Sequence, residues 1–228
     1  MISLNKIKNI RRMNMSLLNE QIQGQLKEIF ADMKKEITLA VFTKKEGCET
    51  CADTIAFMQE IEALSDKIHL EEIDFDTNAE RAAAYNVQMV PSIVMLNDQK
   101  EYLGVKFNGI PAGHEINSFI PAIVEVSGAG ESLPENFMEK INALEKPVNI
   151  KVFVTLSCPH CAGAVQKAHK LALESPMIDA EMVEAQTFFE LSDKFNVSSV
   201  PKIVINDQYE FVGNQPLEVF LEEIAKTQ

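Results

Sequence analysis

The sequence predicts an α/β protein built from two tandem units, each running β-α-β-α-β-β-α around a mixed sheet. Three observations predict it. All four cysteines fall in two Cys-x-x-Cys pairs, Cys48/Cys51 and Cys158/Cys161. Pro91 follows Cys51 by 40 residues, and Pro201 follows Cys161 by the same 40. The text around the prolines also matches: Val90-Pro91-Ser-Ile-Val-Met-Leu-Asn97-Asp98-Gln99 against Val200-Pro201-Lys-Ile-Val-Ile-Asn206-Asp207-Gln208. Gly104 and Gly213 then stand six residues beyond Asp98 and Asp207. Matched spacings together with a shared segment indicate a duplication.

Each element follows in order. Residues 37–43 and 148–154 are short apolar runs of strand length. Each leads into a Cys-x-x-Cys and an amphipathic helix. Its apolar positions are Ile55, Met58, Ile61 and Leu64 in the first unit and Ala164, Val165, Ala168, Leu171 and Ala172 in the second. Second strands are expected at 68–74 and 178–184, then short helices at 77–85 and 187–195. Pro-led hairpins follow, 92–96 with 101–106 and 202–206 with 209–213, turning at Asn-Asp-Gln. Helices at 113–126 and 216–226 close the units. A further helix is expected within 16–35 and another at 135–145, after the linker Gly128-Ala129-Gly130-Glu131-Ser132. The expected organisation is a basic tail at 1–15, a first domain at 16–127, a linker at 128–133 and a second domain at 134–228.

A length of 228 residues suits two domains of about 100 residues each. The net charge of −13 argues against nucleic acid or an anionic membrane as partner, because phosphate binding needs clustered Lys and Arg. Lys6, Lys8, Arg11 and Arg12 make the start basic, but no apolar segment or small-residue cleavage site follows them. The start is read as a disordered tail, or as a translation start placed too early, with Met13 or Met15 the true one. No apolar run reaches the roughly 18 residues of a membrane span. A cytoplasmic location is expected. Cysteines confined to two Cys-x-x-Cys units point to redox chemistry or metal, not to a disulfide-stapled secreted fold.

A strand that ends in Cys-x-x-Cys at a helix start places the first sulfur where the helix dipole and free N–H groups favour thiolate. The second cysteine lies within reach of a mixed disulfide on the first. Cys48 and Cys158 are therefore the expected nucleophiles, and Cys51 and Cys161 the resolving residues. The prolines of Val90-Pro91 and Val200-Pro201 open what reads as an interior strand, where proline removes a ladder donor. A cis peptide bond facing the cysteines explains both and keeps a backbone edge free for substrate.

This constellation resembles the thioredoxin/glutaredoxin superfamily, and two such units in one chain resemble the glutaredoxin-like protein disulfide oxidoreductases. The resemblance covers residues 16–228. It implies two thioredoxin-like domains with cis-prolines at Pro91 and Pro201, and exchange of protein disulfides. It implies no bound cofactor, electrons from a thioredoxin-reductase-like flavoprotein, and a peroxiredoxin as a further partner. The position six residues before the first cysteine, a buried acid in thioredoxin, holds Phe42 and Val152 here. Another group or water must then move the proton of the resolving cysteine. The dipeptide Pro159-His160 is that of the DsbA-type periplasmic oxidant, whereas Glu49-Thr50 lacks the usual proline.

The dipeptides make the pairs unequal. His160 puts a donor and potential cation beside Cys158, and Pro159 suits a first helical position; both favour thiolate. Glu46 and Glu49 disfavour thiolate at Cys48, partly offset by Lys44 and Lys45. The C-terminal pair is thus expected to be the stronger oxidant.

Two other readings remain open. The four cysteines could hold zinc, although 106 residues separate the pairs where a ribbon spaces its knuckles about 15–20 apart. A duplicated fold could instead serve as a binding or chaperone module. The electron-relaying N-terminal region of an alkyl hydroperoxide reductase flavoprotein is a related enzyme reading. No G-x-G-x-x-G occurs, so no dinucleotide site is expected in the chain itself. His69, His114 and His169 lack metal-spaced partners and are expected at surface or cap positions. The acidic run 71–76 is read as a solvated strand end.

Overall fold

The computed structural model describes residues 18–228; the expected tail at 1–15 lies outside them. The elements follow the duplicated order. They are α1 (Glu20–Phe30), β1 (Ile37–Thr43), α2 (Cys51–Glu62), β2 (Ile68–Asp74), α3 (Ala79–Ala84), β3 (Ser92–Leu96) and β4 (Tyr102–Asn108). A 3₁₀ turn at Gly113–Glu115 then leads into α4 (Ile116–Val124), which ends in a π turn at Glu125–Ala129. The second half holds α5 (Glu135–Asn142), β5 (Val148–Val154), α6 (Cys161–Glu174), β6 (Ile178–Glu184), α7 (Phe189–Lys194), β7 (Lys202–Ile205), β8 (Tyr209–Val212) and α8 (Leu217–Ala225). Strands β1, β2, β5 and β6 begin and end where the sequence runs do. Gly128, at φ 85, breaks the helical path at the expected linker.

The two expected sheets are continuous. Eight strands lie in the order β2-β1-β3-β4-β6-β5-β7-β8, with a parallel pairing of β4 on β6 as the seam. Within each half the first strand pairs parallel to the second and antiparallel to the third. One face carries the large core. There Leu39, Val41, Ile93, Phe107, Val152, Met182 and Ile203 meet Phe57, Phe119, Val165, Leu171 and Phe220 from the longer helices. The other face is covered by the two six-residue helices, over Ala40, Phe42 and Val94 in one half and Phe153, Val183 and Val204 in the other.

Two sequence equivalences change with this geometry. Gly104 does not correspond to Gly213. The N–H groups of Gly109 and Gly213 donate to the Pro91 and Pro201 carbonyls at 2.9 and 2.8 Å, so Gly109 is the counterpart. Seven-residue β4 outruns four-residue β8 because β4 must also pair with β6. Nor do Phe42 and Val152 occupy one position. Phe42 pairs with Ile73, and Phe153 pairs with Val183, so Phe153 is the true partner of Phe42. The loop before Cys48 is one residue longer than that before Cys158, and a shift of one residue reverses the face. Val41 and Val152 are the residues that face the Cys-bearing helices, and both are apolar and fully buried.

His169 is also not at the surface. It is 2% exposed, its ring centroid lies 4.6 Å from that of Phe107, and Nε2 sits 3.1 Å from the Lys106 carbonyl oxygen. Helix α6 packs across the seam onto β4, so a helix flank that reads as solvated in one unit is covered by the other. His69 and His114 are exposed, His69 with Nε2 3.0 Å from Glu36.

Candidate functional site

Both cysteine pairs are disulfides, with Cα–Cα distances of 5.5 Å for Cys48–Cys51 and 5.6 Å for Cys158–Cys161. The second cysteine of each pair opens α2 or α6 and is buried, 5% exposed at Cys51 and 0% at Cys161. The first cysteine is half-exposed in the turn just ahead. This differs by three residues from the expected placement of the nucleophile on the helix itself. Thr50 and His160 are the N-caps, neither with a side-chain capping bond. Pro159 therefore lies before the cap and not at the first helical position. Pro159, His160 and Glu49 are exposed and Thr50 is half-buried.

Val90–Pro91 and Val200–Pro201 are both cis peptide bonds. Each valine is half-buried and each proline buried. At the second centre Cys158 N–H donates to the Thr155 carbonyl at 3.0 Å, and Cys158 Sγ lies 3.8 Å from the Val200 carbonyl oxygen. The fold thus brings the Val200 carbonyl beside the Cys158 sulfur. At the first centre Lys44 is drawn away from the disulfide. Its Nζ lies 3.1 Å from Asp76 Oδ1 and 4.9 Å from the Phe75 ring centroid.

One buried residue close to the second centre carries no sequence motif. The 3₁₀ turn of the first half reaches across to Leu156, two residues before Cys158. His114 N–H donates to the Leu156 carbonyl at 2.9 Å, and a Cβ on Gly113 would meet that same oxygen at 2.4 Å. Glu115, next in this turn, is fully buried. Its Oε2 accepts from Ser118 Oγ at 2.6 Å, while Oε1 has no partner within the protein. Burial lifts the carboxyl to about 7, against the smaller opposing effect of the Ser118 hydroxyl. A buried acid is therefore present, but the neighbouring unit supplies it. Only a lone unpatterned carboxylate ahead of an apolar helix signals it in the sequence.

The remaining polar burial lies at the seam. Lys106, fully buried, donates to the Tyr85 and Asn86 carbonyls at 3.2 and 2.9 Å and faces Asp179 at 3.5 Å. Asn108 donates to Glu181 at 2.7 Å. Among the described residues no group of three or more His, Cys, Asp or Glu is arranged to hold a metal ion, and no helix is long and apolar enough to cross a membrane.

A family model described as "Thioredoxin" matches residues 2–115, and one described as "Thioredoxin domain" matches residues 148–226. The NTD_N/C domain of alkylhydroperoxide reductase AhpF from Enterococcus faecalis is 33% identical. It superposes with a TM-score of 0.85, covering 91% of this chain and 99% of that one. A protein disulfide oxidoreductase from Aeropyrum pernix is 32% identical with a TM-score of 0.85, covering 93% and 94%. Among curated relatives, the alkyl hydroperoxide reductase AhpF of Staphylococcus epidermidis is 26% identical over 213 residues, 93% of this chain and 38% of that protein. A protein of Ferdinandcohnia aciditolerans named NADH dehydrogenase is 25% identical over 209 residues, 92% of this chain and 37% of its own length. The chain thus spans little more than a third of the length of these curated relatives. With one family model over half the chain and solved relatives over nearly all of it, the chain belongs to the thioredoxin family, as a tandem thioredoxin-fold thiol–disulfide oxidoreductase.

Proposed function

We propose that the protein exchanges disulfides with other proteins at both centres, through two units at 16–127 and 134–228. Cys48 and Cys158 are the attacking sulfurs, and Cys51 and Cys161 resolve. In the reducing direction the Cys158 thiolate attacks a substrate sulfur and expels one substrate thiolate. The Cys161 thiolate then attacks Cys158, releasing the second substrate thiol and leaving the Cys158–Cys161 disulfide. Two electrons pass from the dithiol to the substrate. The observation that carries this reading is the pairing, in both halves, of a half-exposed first cysteine and a buried second one with a cis-proline loop. Exposure suits the sulfur that must be reached, and burial suits the one that must wait.

Resolution needs the Cys161 proton removed in a buried setting. Glu115 is the acceptor we assign: a buried carboxyl held near 7, packed beside the turn that carries Cys158. Val90, Pro91, Val200 and Pro201 offer backbone to an extended substrate segment, and His160, Pro159, Glu49 and Thr50 tune the sulfurs. Electrons come from a thioredoxin-reductase-like flavoenzyme. That source, a peroxiredoxin partner and a cytoplasmic site of action rest on likeness to the AhpF relatives.

Insulin reduction with dithiothreitol tests the reading. Variants with one intact centre are expected to retain activity, and Cys161→Ser is expected to accumulate a mixed disulfide on Cys158. With Cys161 intact, Glu115→Gln should slow resolution of the Cys158 mixed disulfide by about 10²-fold. A chain no faster than dithiothreitol alone overturns the assignment and leaves a binding module.

A further inference from the structure

The two centres open onto unlike cavities. Beside Cys158–Cys161 is a cavity of about 670 Å³, lined by Thr155, Gln186, Phe189, Asp193, Ser199 and Val200 among others. Two of its lining residues, Thr155 and Val200, are neighbours of Cys158. Thr155 accepts from the Cys158 N–H, and the Val200 carbonyl is the one 3.8 Å from Cys158 Sγ. Its single charged lining residue is Asp193, in a protein of net charge −13. Phe189, the first residue of α7, is 69% exposed at its rim. A bare phenyl ring costs solvation wherever nothing covers it.

The cavity beside Cys51, about 750 Å³, lies elsewhere, against the Cys-bearing helix: Lys44, Lys45, Cys51, Ile55, Glu72 and Asp74 are among its lining, and Val90 is not. At the place of Phe189 the first half has Ala79, the first residue of α3. The duplication therefore left a phenyl ring beside the second centre and only a methyl group at the matching position of the first.

We infer that Phe189 determines specificity at the Cys158–Cys161 centre, and that its groove receives an apolar side chain flanking the reacting cysteine of a protein disulfide. This rests on the oxidoreductase reading above. A partner sulfur that approaches Cys158 brings its own backbone over Val200. The residue next to its cysteine then falls between Val200 and the Phe189 ring. An aliphatic or aromatic side chain covers the ring there and displaces water from it. A charged one would lose hydration against Thr155, Ser199 and Val200 with no countercharge except Asp193.

The test uses the full chain with Cys48→Ser and Cys51→Ser, leaving one reactive centre. The probes are two short peptides, each oxidised to its disulfide-linked dimer. In one the cysteine is flanked by Leu and Phe, in the other by Ser and Asn. Dithiothreitol reduces the centre, the centre reduces the peptide dimer to two thiols, and the rate with dithiothreitol alone is subtracted. The expected KM is lower for the apolar peptide. Phe189→Ser should raise that KM by about tenfold, with kcat and the polar-peptide KM unchanged. Phe189→Leu, which keeps an apolar cover, should retain the preference. An unchanged KM ratio in Phe189→Ser overturns the inference while the oxidoreductase reading stands. Failure of the unaltered chain to reduce either dimer overturns both.

Discussion

Backbone geometry hardly separates Cys48 from Cys158, since each sits half-exposed in the turn before a helix that begins at its partner. Side chains separate them. Cys48 stands between Glu46 and Glu49, both exposed, and of the two lysines that partly offset them, Lys44 and Lys45, the first is engaged by Asp76 and the Phe75 ring. Cys158 has no acid in its motif and has His160 two residues on. The Val200 carbonyl near Cys158 Sγ holds the thiol, but a neutral dipole at 3.8 Å opposes less than the missing carboxylates contribute. Cys158 is accordingly expected to react with iodoacetamide about threefold to tenfold faster than Cys48 near pH 6, on reduced single-nucleophile variants. Equal rates, or a faster Cys48, would remove the basis for calling the C-terminal centre the stronger oxidant.

The strands and helices place their own demands on single residues, and two glycines show opposite ones. Gly24 lies inside α1, and a Cβ there would meet nothing within 4 Å. Gly24→Ala should stabilise by about 0.5–1 kcal/mol, through helix propensity and a less mobile unfolded chain. Gly104 lies in β4 at φ 79, and its Cβ would stand 2.3 Å from the Ile178 carbonyl oxygen. Gly104→Ala should destabilise by at least about 2 kcal/mol, because both the backbone conformation and the β4–β6 seam must give. Urea melts of the two variants decide; a Gly104→Ala as stable as the parent would mean the seam is loose. The same seam marks where sequence reading ran out. Within each half, strand runs and turn residues are local signals, and so they are legible: β1 and β5 match the apolar runs residue for residue. The joining of β4 to β6 is a contact between distant segments and leaves no period in the text. Its effects were misplaced for that reason: the extra length of β4 displaced the glycine match from Gly109 to Gly104, and the cover from β4 buried His169. Counting back from the cysteines likewise set Phe42 against Val152, since nothing local reveals a one-residue difference between loops. The four cysteines and two cis-prolines were legible because their spacing repeats. Glu115 was not, because the turn that holds it packs on the unit to which it does not belong.

The joining of two units also gives the whole molecule a pH response that neither half would have alone. Glu115 from the first half and His169 from the second are both buried where the halves meet, and burial favours the neutral form of each. Their linkages run in opposite directions. Burial raises Glu115 from 4.5 to about 7, so its contribution to stability is full below 4.5 and is lost as pH rises through 7. Burial lowers His169 from 6.5 to about 4, outweighing the Lys106 carbonyl and Asp179, which favour its charged form. Its contribution is full above 6.5 and is lost as pH falls through 4. Between about 4.5 and 6.5 one slope offsets the other, and the parent protein should show little net dependence from this pair. Single variants expose each. Relative to the parent, Glu115→Gln should gain stability as pH rises between about 4.5 and 7, and His169→Phe should lose it as pH rises between about 4 and 6.5. Each difference amounts to about 3 kcal/mol across its window. Phenyl in place of imidazole also forfeits the bond to the Lys106 carbonyl, but that loss is the same at every pH and leaves the slope untouched. Urea denaturation at stepped pH, with the variant-minus-parent difference plotted, separates slope from offset. Difference curves that are flat for both variants would mean that neither group is held neutral in the folded state.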